Sequence, residues 1–500
     1  MKYIENNPTD AKYSKKKGNV NIVRVSPFLD GVEVEYKSRE EKNIHIKLII
    51  WELESKKQVF EKVFYSGNKC IRATGLTANI DYVAEVLICD GDMKEIARSN
   101  ARLFRCGLYP GKVINYIHPA DKTYVRSGEF IGSPCIIKMD NGSYIASHDI
   151  FCHDNTGHSS LCQFFVSKNY GKTWNYLSEI EHCTWGTMFK HNGKLYILGT
   201  SEIAGGGGDI VLYVSDDEAQ SWSGPVVLVK KNKESCYRTS TGAVMFYDDR
   251  FYMYVGTNKT VHNETLKEYE DYVRGEKVQD KKSLFASFIS ADLNADIENP
   301  ENWTLSEATG YSQEWDGAVK VWNPIMMEEG NIVLINNELK MLLRFNSHRY
   351  DTPTTYPDSI RYLVFGIDKD NPESAPRFEK AVLFNGAMHK FHIQYDEKNQ
   401  RYLAMVNRMT TDQIWQRNVL SLAESKDLEH WNFVRDLINL EDINWQEDAW
   451  ECGVQYPMFF IDDNIIVAVV RTAINGADNF HNSNAVTFHR FKEIFDKYRY

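Results

Sequence analysis

No stretch of this 500-residue chain is long and apolar enough to cross a bilayer as a helix. Nor does an apolar signal region follow the opening Met1-Lys2-Tyr3-Ile4-Glu5-Asn6-Asn7. A cytoplasmic address is therefore the expectation for the sequence as it stands, and export the expectation if a leader once preceded it. Positive charge is not in excess: 58 Lys+Arg against 69 Asp+Glu leave a formal net charge of −11. That argues against nucleic acid or an anionic membrane as partner, while a local basic pocket would be invisible in the sum. The nine cysteines (70, 89, 106, 135, 152, 162, 183, 236 and 452) are odd in number and scattered, without CxxC or zinc-ribbon spacing, so reduced thiols are expected. His148, His153, His158, His481 and His489 offer imidazoles without tight ligand spacing, and neither a metal nor a cofactor is expected. There is no phosphate-binding loop, serine nucleophile elbow or HExxH, which removes the nucleotide, esterase and zinc-protease classes.

What the chain does have is β-patterning. Residues 1–19 are polar and Lys-rich, read as a loose arm. Over residues 20–108 short alternating runs, such as Val32-Glu33-Val34-Glu35-Tyr36 and Tyr82-Val83-Ala84-Glu85-Val86, end in turn formers and predict an all-β sandwich. Within it, Thr74-Gly75-Leu76-Thr77-Ala78-Asn79-Ile80-Asp81-Tyr82 resembles the strand corner of fibronectin type III domains, which implies a buried Leu and a Tyr hydroxyl bonded back to the corner. This module is read as structural.

Past Tyr109-Pro110-Gly111 the rhythm changes to longer strand–turn–strand units. Asp140-Asn141-Gly142, His191-Asn192-Gly193, Glu328-Glu329-Gly330-Asn331 and Asp462-Asp463-Asn464 each sit between apolar runs and are expected to be hairpin turns. Two segments interrupt the pattern, the charged run 263–282, expected to be a short exposed helix, a lid or a solvated excursion, and the polar run 346–358. Three turns recur: Ser167-Lys168-Asn169-Tyr170-Gly171-Lys172-Thr173-Trp174, Ser215-Asp216-Asp217-Glu218-Ala219-Gln220-Ser221-Trp222 and Ser425-Lys426-Asp427-Leu428-Glu429-His430-Trp431, with a looser copy from Ser290-Ala291-Asp292 to Trp303. They resemble the Asp-box of sialidase-like β-propellers, in which the motif joins the two outer strands of a blade. The resemblance implies a propeller over residues 112–500, and about 390 residues at roughly 50–60 per blade give six or seven blades.

In a propeller, chemistry is expected where strands emerge at the axis. Candidate strand ends are His148-Asp149, Arg344, Asn407 and Arg471, with Gln455-Tyr456 at the start of another strand. Arginines bind carboxylates bidentately, so Arg344 and Arg471 suit an acidic sugar. A histidine such as His148 transfers protons near neutral pH, and Tyr237 or Tyr456 can serve as acid, base or nucleophile. Two routes fit these groups. One is β-elimination beside a uronate; the other is attack of a carboxylate-activated tyrosine on the anomeric carbon of a sialic acid, followed by hydrolysis.

From Phe130 to Phe491 the order of motifs is similar to a bacterial group known as exo-sialidase or BNR-repeat proteins. The matching stretches include Gly132-Ser133-Pro134, Ala146-Ser147-His148-Asp149, Trp185, Tyr237, Gly453-Val454-Gln455-Tyr456, Val470-Arg471-Thr472-Ala473 and His481-Asn482. That group is similar in turn to ulvan lyases and to propellers that release rhamnose capped on glucuronate. The resemblance implies a proton-transfer role for His148 and a partner role for Tyr237 or Tyr456. Asp149, Trp185, Arg238, Arg344, Asn407, Gln455, Arg471 and His481 are the expected substrate contacts. Sialidases open their first blade with an Arg-Ile-Pro type sequence, for which this chain has Gly132-Ser133-Pro134. Ulvan lyases place an arginine on the strand after the tyrosine, where Phe251-Tyr252-Met253-Tyr254 has none, although Arg238 stands beside Tyr237. The expectation is a carbohydrate-active enzyme cleaving a terminal sugar at or next to a uronate in an acidic oligosaccharide or polysaccharide. The alternatives are an exo-sialidase and a silent glycan-binding propeller.

Overall fold

The computed structural model describes residues 3–4, 20–39, 44–65, 69–121, 130–151, 161–202, 206–261, 281–319, 326–346, 360–411, 415–441 and 449–492. The arm read at residues 1–19, apart from 3–4, lies outside them. So do Cys152, His153, His158 and all but the strand-end residues of the two excursions at 263–282 and 346–358. Among the described residues there is no α-helix, and a short 3-10 turn lies at Pro300–Asn302.

Two antiparallel sheets come first. Val20–Phe28, Gly31–Ser38 and Cys70–Thr74 form one; Gln58–Tyr65, His45–Glu52, Asp81–Cys89 and Glu95–Arg98 form the other, with Arg102–Arg105 also pairing Asp81–Cys89. The polar–apolar alternation of Cys70–Thr74 becomes alternating exposure and burial, which turns Ile71 and Ala73 inward onto Val25, Leu48 and Val86. At the corner Leu76 is buried, and the Tyr82 hydroxyl accepts from Thr77 N at 2.9 Å and donates to Thr77 O at 3.1 Å. This core runs on without a break into Val113, Tyr116 and Ala485. A polar seam adds to the junction. Fully buried Arg24 pairs with Glu35 at 2.8 Å, and Glu35 also accepts from Tyr176 N at 2.9 Å.

Among the described residues six further antiparallel sheets follow, arranged as blades of a β-propeller. The first is Phe130–Lys138, Tyr144–Phe151, Leu161–Ser167 and Asn175–Glu181; the second is Thr184–His191, Lys194–Thr200, Ile210–Ser215 and Trp222–Val229, with Tyr3–Ile4 added at its edge. In the third, Ser235–Arg238 and Met245–Tyr247 share the partner Arg250–Val261, followed by Lys281–Asp292 and Trp303–Leu305. The fourth is Met326–Ile335, Glu338–Asn346, Arg361–Ile367 and Arg377–Leu383, and the fifth His392–Asp396, Arg401–Asn407, Val419–Ser425 and Asn432–Asn439. The sixth joins Gly453–Asp462, Ile465–Ala473 and Ala485–Phe491 to Lys112–Tyr116, a strand that precedes the first blade in sequence. That pairing closes the ring, and Phe130–Lys138 packs against both Thr184–His191 and Gly453–Asp462.

The three recurrent turns each join the third and fourth strands of a blade with the same bonds. The serine hydroxyl accepts a backbone N–H (Gly171 to Ser167, Ala219 to Ser215, Leu428 to Ser425), and the Asn or Asp side chain accepts another (Thr173 to Asn169, Ser221 to Asp217, Glu429 to Asp427). Of the hairpins expected from sequence, one is corrected. Glu328-Glu329-Gly330-Asn331 lies inside the strand Met326–Ile335, and the turn falls at Asn336-Asn337, both with positive φ (52° and 62°).

Gly171 has φ +81°, and a Cβ there would come within 1.8 Å of the Phe488 ring on the sixth blade. Gly171→Ala is expected to destabilise the protein by about 1–3 kcal/mol, read as a lower urea midpoint with an unchanged slope.

Candidate active site

The inner strands of blades one, two, four and six share a local irregularity. Each loses register near the same end, between Ile131 and Pro134, Thr184 and Thr187, Glu328 and Asn331, and Gln455 and Met458. A bulge of this kind inserts extra residues and re-aims side chains. Trp185, Glu329 and Tyr456, one in each of three bulges, have φ of +52°, +57° and +51°. The bulged residues Ser133, Trp185, Glu328, Glu329 and Tyr456 all line one cavity of about 440 Å3, joined by Arg238, Arg471, His481, Phe151 and Tyr254 among others.

Tyr456 is at the centre of the cavity's chemistry. It is 9 % exposed, and burial and the charge of the Glu329 carboxylate push its hydroxyl above its ordinary value. Arg344 holds both from behind, with Nη1 2.7 Å from Glu329 Oε2 and 3.4 Å from the Tyr456 hydroxyl, while its Nε donates to Met388 O at 2.6 Å. Burial works against the Glu329 carboxylate, but the Arg344 guanidinium outweighs it and holds the group below its ordinary value. The adjacent Glu328, 3.6 Å from Arg344, goes the other way: burial and the Glu329 charge raise it.

Asp149 stands behind the cavity wall on the first blade, fully buried. Its Oδ2 accepts from Trp185 N at 2.8 Å, its Oδ1 has no hydrogen-bond partner among the described residues, and burial pushes its carboxyl up to about 6. Gly132 makes room for it, since a Cβ there would come within 2.1 Å of Asp149 Oδ1. Arg471 lies 4.9 Å above the Tyr456 ring and 5.3 Å above Phe151, donates to His481 O, and leaves Nε without a hydrogen-bond partner among the described residues. Arg238 stacks at 5.6 Å on Trp185 and donates to Gly206 O.

Trp185, Arg238, Tyr456, Arg471 and His481 thus share the cavity, and Asp149 and Arg344 stand directly behind its wall. Four other expected residues lie elsewhere. His148 is 1 % exposed and stacks on Phe165 in the seam between the first and sixth blades. Its Nε2 accepts from Asn115 at 3.0 Å, its Nδ1 donates to the Asp149 carbonyl at 3.0 Å, and burial pushes it down to about 4. Strand alternation explains the exchange: Asp149 turns to the cavity wall, so its neighbour His148 turns to the opposite face. Tyr237 packs into the core between the second and third blades. Asn407 donates to the carbonyls of Arg417, Val419 and Val454, and Gln455 accepts from Arg417 and donates to Phe480 O. Both brace backbone and line no part of the cavity.

Glu328, Glu329 and Arg417, the last 5.9 Å from the Tyr456 ring, are not identifiable from sequence patterning. A Glu-Glu-Gly-Asn run looks like a turn, and only the strand pairing reveals the bulge.

No protein-family model matches the chain, and no curated protein does. Among solved structures it is similar to a Hadza microbial sialidase at 10 % identity, covering 95 % of this chain and 93 % of that one, with a TM-score of 0.49. A Trypanosoma rangeli sialidase is 14 % identical over 77 % of this chain and 59 % of its own length, with a TM-score of 0.48. An α-L-arabinofuranosidase from Fusarium graminearum is 11 % identical, over 77 % and 98 %, with a TM-score of 0.45. At such identities the chemistry of the cavity must come from this chain's own residues.

Gly132→Ala is expected to displace Asp149 and break its bond to the Trp185 amide, so that hydrogen exchange of the peptide carrying Trp185 quickens about tenfold. Unchanged exchange there, measured by mass spectrometry, would count against this account of Gly132.

Proposed function

We propose that this protein is a retaining exo-glycosidase that removes a terminal sugar bearing a carboxylate at its anomeric centre. The observation that carries the reading is the contact of Arg344 with both Glu329 and the Tyr456 hydroxyl in a cavity backed by Asp149: a hydroxyl with a carboxylate held below its ordinary value nearby, and a second carboxyl raised to about 6. Two carboxyl groups pushed apart in this way divide the roles of base and acid.

In the first step the Tyr456 oxygen attacks the anomeric carbon, Glu329 takes the phenolic proton, and Asp149 protonates the departing glycosidic oxygen. In the second, water activated by Asp149 releases the sugar, and Glu329 returns the proton to Tyr456. A phenol activated by a neighbouring carboxylate suits a substrate whose reacting carbon carries its own negative charge, because a carboxylate nucleophile would be repelled. Arg471, with its unpartnered Nε above Tyr456, is the guanidinium best placed to receive that carboxylate. The elimination route needs an imidazole facing the substrate, and the engagement of both His148 nitrogens leaves it without support.

The test uses 4-methylumbelliferyl N-acetylneuraminate and 4-methylumbelliferyl glucuronide, with absorbance near 235 nm followed in parallel on a uronate-capped oligosaccharide. Hydrolysis of the neuraminate with retention of anomeric configuration is expected, together with covalent trapping by a fluorinated sialyl fluoride that Tyr456→Phe abolishes. A rise at 235 nm, or silence with both glycosides, would overturn the reading, the first in favour of a lyase and the second of a glycan-binding propeller.

The pH profile supplies a separate check. Asp149 must be protonated to act as the acid, so kcat/KM should fall as pH rises through about 6. Asp149→Asn should remove that limb and lower the rate by about 10²–10⁴-fold on a sugar leaving group, and by much less on methylumbelliferone, whose departure needs little protonation.

A further inference from the structure

Two arginines line the cavity, and the proposed chemistry uses one of them. Arg471, from the sixth blade, lies 4.9 Å from the centre of the Tyr456 ring and is assigned the carboxylate of the reacting sugar. Arg238, from the third blade, stacks 5.6 Å from the centre of the Trp185 ring, and its Nε donates to Gly206 O, a carbonyl that also accepts from Asn258 Nδ2. Aromatic rings connect the two. Arg471 lies 5.3 Å from the Phe151 ring, and Phe151 meets Trp185 at 6.3 Å with the ring planes 63° apart, so the cations stand at the two ends of one aromatic wall.

Neither guanidinium forms an ion pair among the described residues. The carboxylates on the cavity wall, Glu328 and Glu329, stand 3.6 and 2.7 Å from a third cation, Arg344. A guanidinium in a partly closed site gains something from an aromatic face, but an anion is what offsets its lost hydration. Two such groups without a carboxylate partner therefore fit a ligand with two anionic groups, each presented to a planar fork of donors. Arg471 accounts for the first. The second falls on the leaving side: Trp185 N donates to Asp149 Oδ2 at 2.8 Å, and Asp149 is the group that protonates the departing oxygen. The ring that carries Arg238 thus adjoins the acid, and the sugar beyond the departing oxygen is the one that Arg238 can reach.

We propose that Arg238, held on Trp185, binds an acidic group of the leaving sugar. The preferred substrate is then dianionic: a terminal sugar with a carboxylate at its anomeric centre, linked to a second acidic sugar. Which of the two sugars leaves rests on the glycosidase reading; the call for a second anion does not.

The experiment compares the α2→8-linked dimer of N-acetylneuraminate with 3′-sialyllactose, whose leaving sugar is neutral. At low salt kcat/KM is expected to favour the dimer by about tenfold or more, and the preference should shrink as salt is raised. Arg238→Gln should abolish the preference, chiefly through KM for the dimer, and Arg238→Lys should restore part of it. A ratio of two substrates taken in one preparation does not depend on the fraction of protein that is folded, so a merely structural arginine would leave it unmoved. Equal rates on the two substrates, or a preference that survives in Arg238→Gln, overturns the proposal. Calorimetry on Tyr456→Phe gives a readout without turnover. The dimer should bind that variant about tenfold more tightly than 3′-sialyllactose does, and adding Arg238→Gln should make the two affinities alike. That outcome upholds the second anion site even if no glycoside is cleaved, whereas equal affinities in Tyr456→Phe overturn it even if one is.

Discussion

A ring of blades presents one fixed cavity only while it stays closed. Here closure depends on the antiparallel pairing of Lys112–Tyr116 with Ala485–Phe491, which makes the first propeller strand the outer edge of the last blade. Everything at the axis inherits its position from that pairing. Asp149 and Ser133 come from the blade on one side of the closure, Tyr456 and Arg471 from the blade on the other, and opening the ring would part them. The closing strand also supplies Val113 and Tyr116 to the core of the N-terminal sandwich, and Ser26 donates to Val113 O at 2.6 Å. The sandwich therefore bears directly on the strand that keeps the ring shut.

Within the closed ring the bulges decide what faces the cavity. In a regular strand successive side chains alternate between faces, so Glu328 and Glu329 would point in opposite directions. The irregularity between Glu328 and Asn331 lets both line the same wall, beside the bulged Tyr456. Left-handed backbone at Trp185, Glu329 and Tyr456 is costly for residues with a Cβ, by about 1–3 kcal/mol each, and persists only where the surrounding sheets over-determine it. That three such residues meet in one cavity is the structural mark of a site.

Electrostatics then separates groups of the same kind. Asp149 is a buried carboxyl and Glu329 a half-buried one. Arg344, in direct contact at 2.7 Å, holds Glu329 below its ordinary value, while burial of Asp149 outweighs the backbone amides and the Arg471 charge and pushes it up to about 6. Arg238 and Arg471 line the cavity, and Arg344 and Arg417 approach Tyr456, in a chain whose overall balance is −11. The net sum says little about the partner that the cavity accepts.

The recurrent Ser-x-Asp/Asn turns and the alternation of strands are local devices, encoded in neighbouring residues, and for that reason the all-β propeller was legible before any coordinates. Tyr456, Arg471 and Asp149 were legible as polar residues at the ends of apolar strands. His148 met the same criterion and yet serves the seam with Asn115, because the criterion locates a strand end but not the face to which a side chain turns. Glu329 was hidden in a run that looks like a turn. By itself, then, the sequence determined the secondary structure, the repeat and the stock of ionisable groups, all of which depend on contacts a few residues apart. Only the tertiary structure decided which of those groups meet, because blade-to-blade packing, ring closure and the bulges bring together residues more than a hundred positions apart, such as Arg344 and Tyr456.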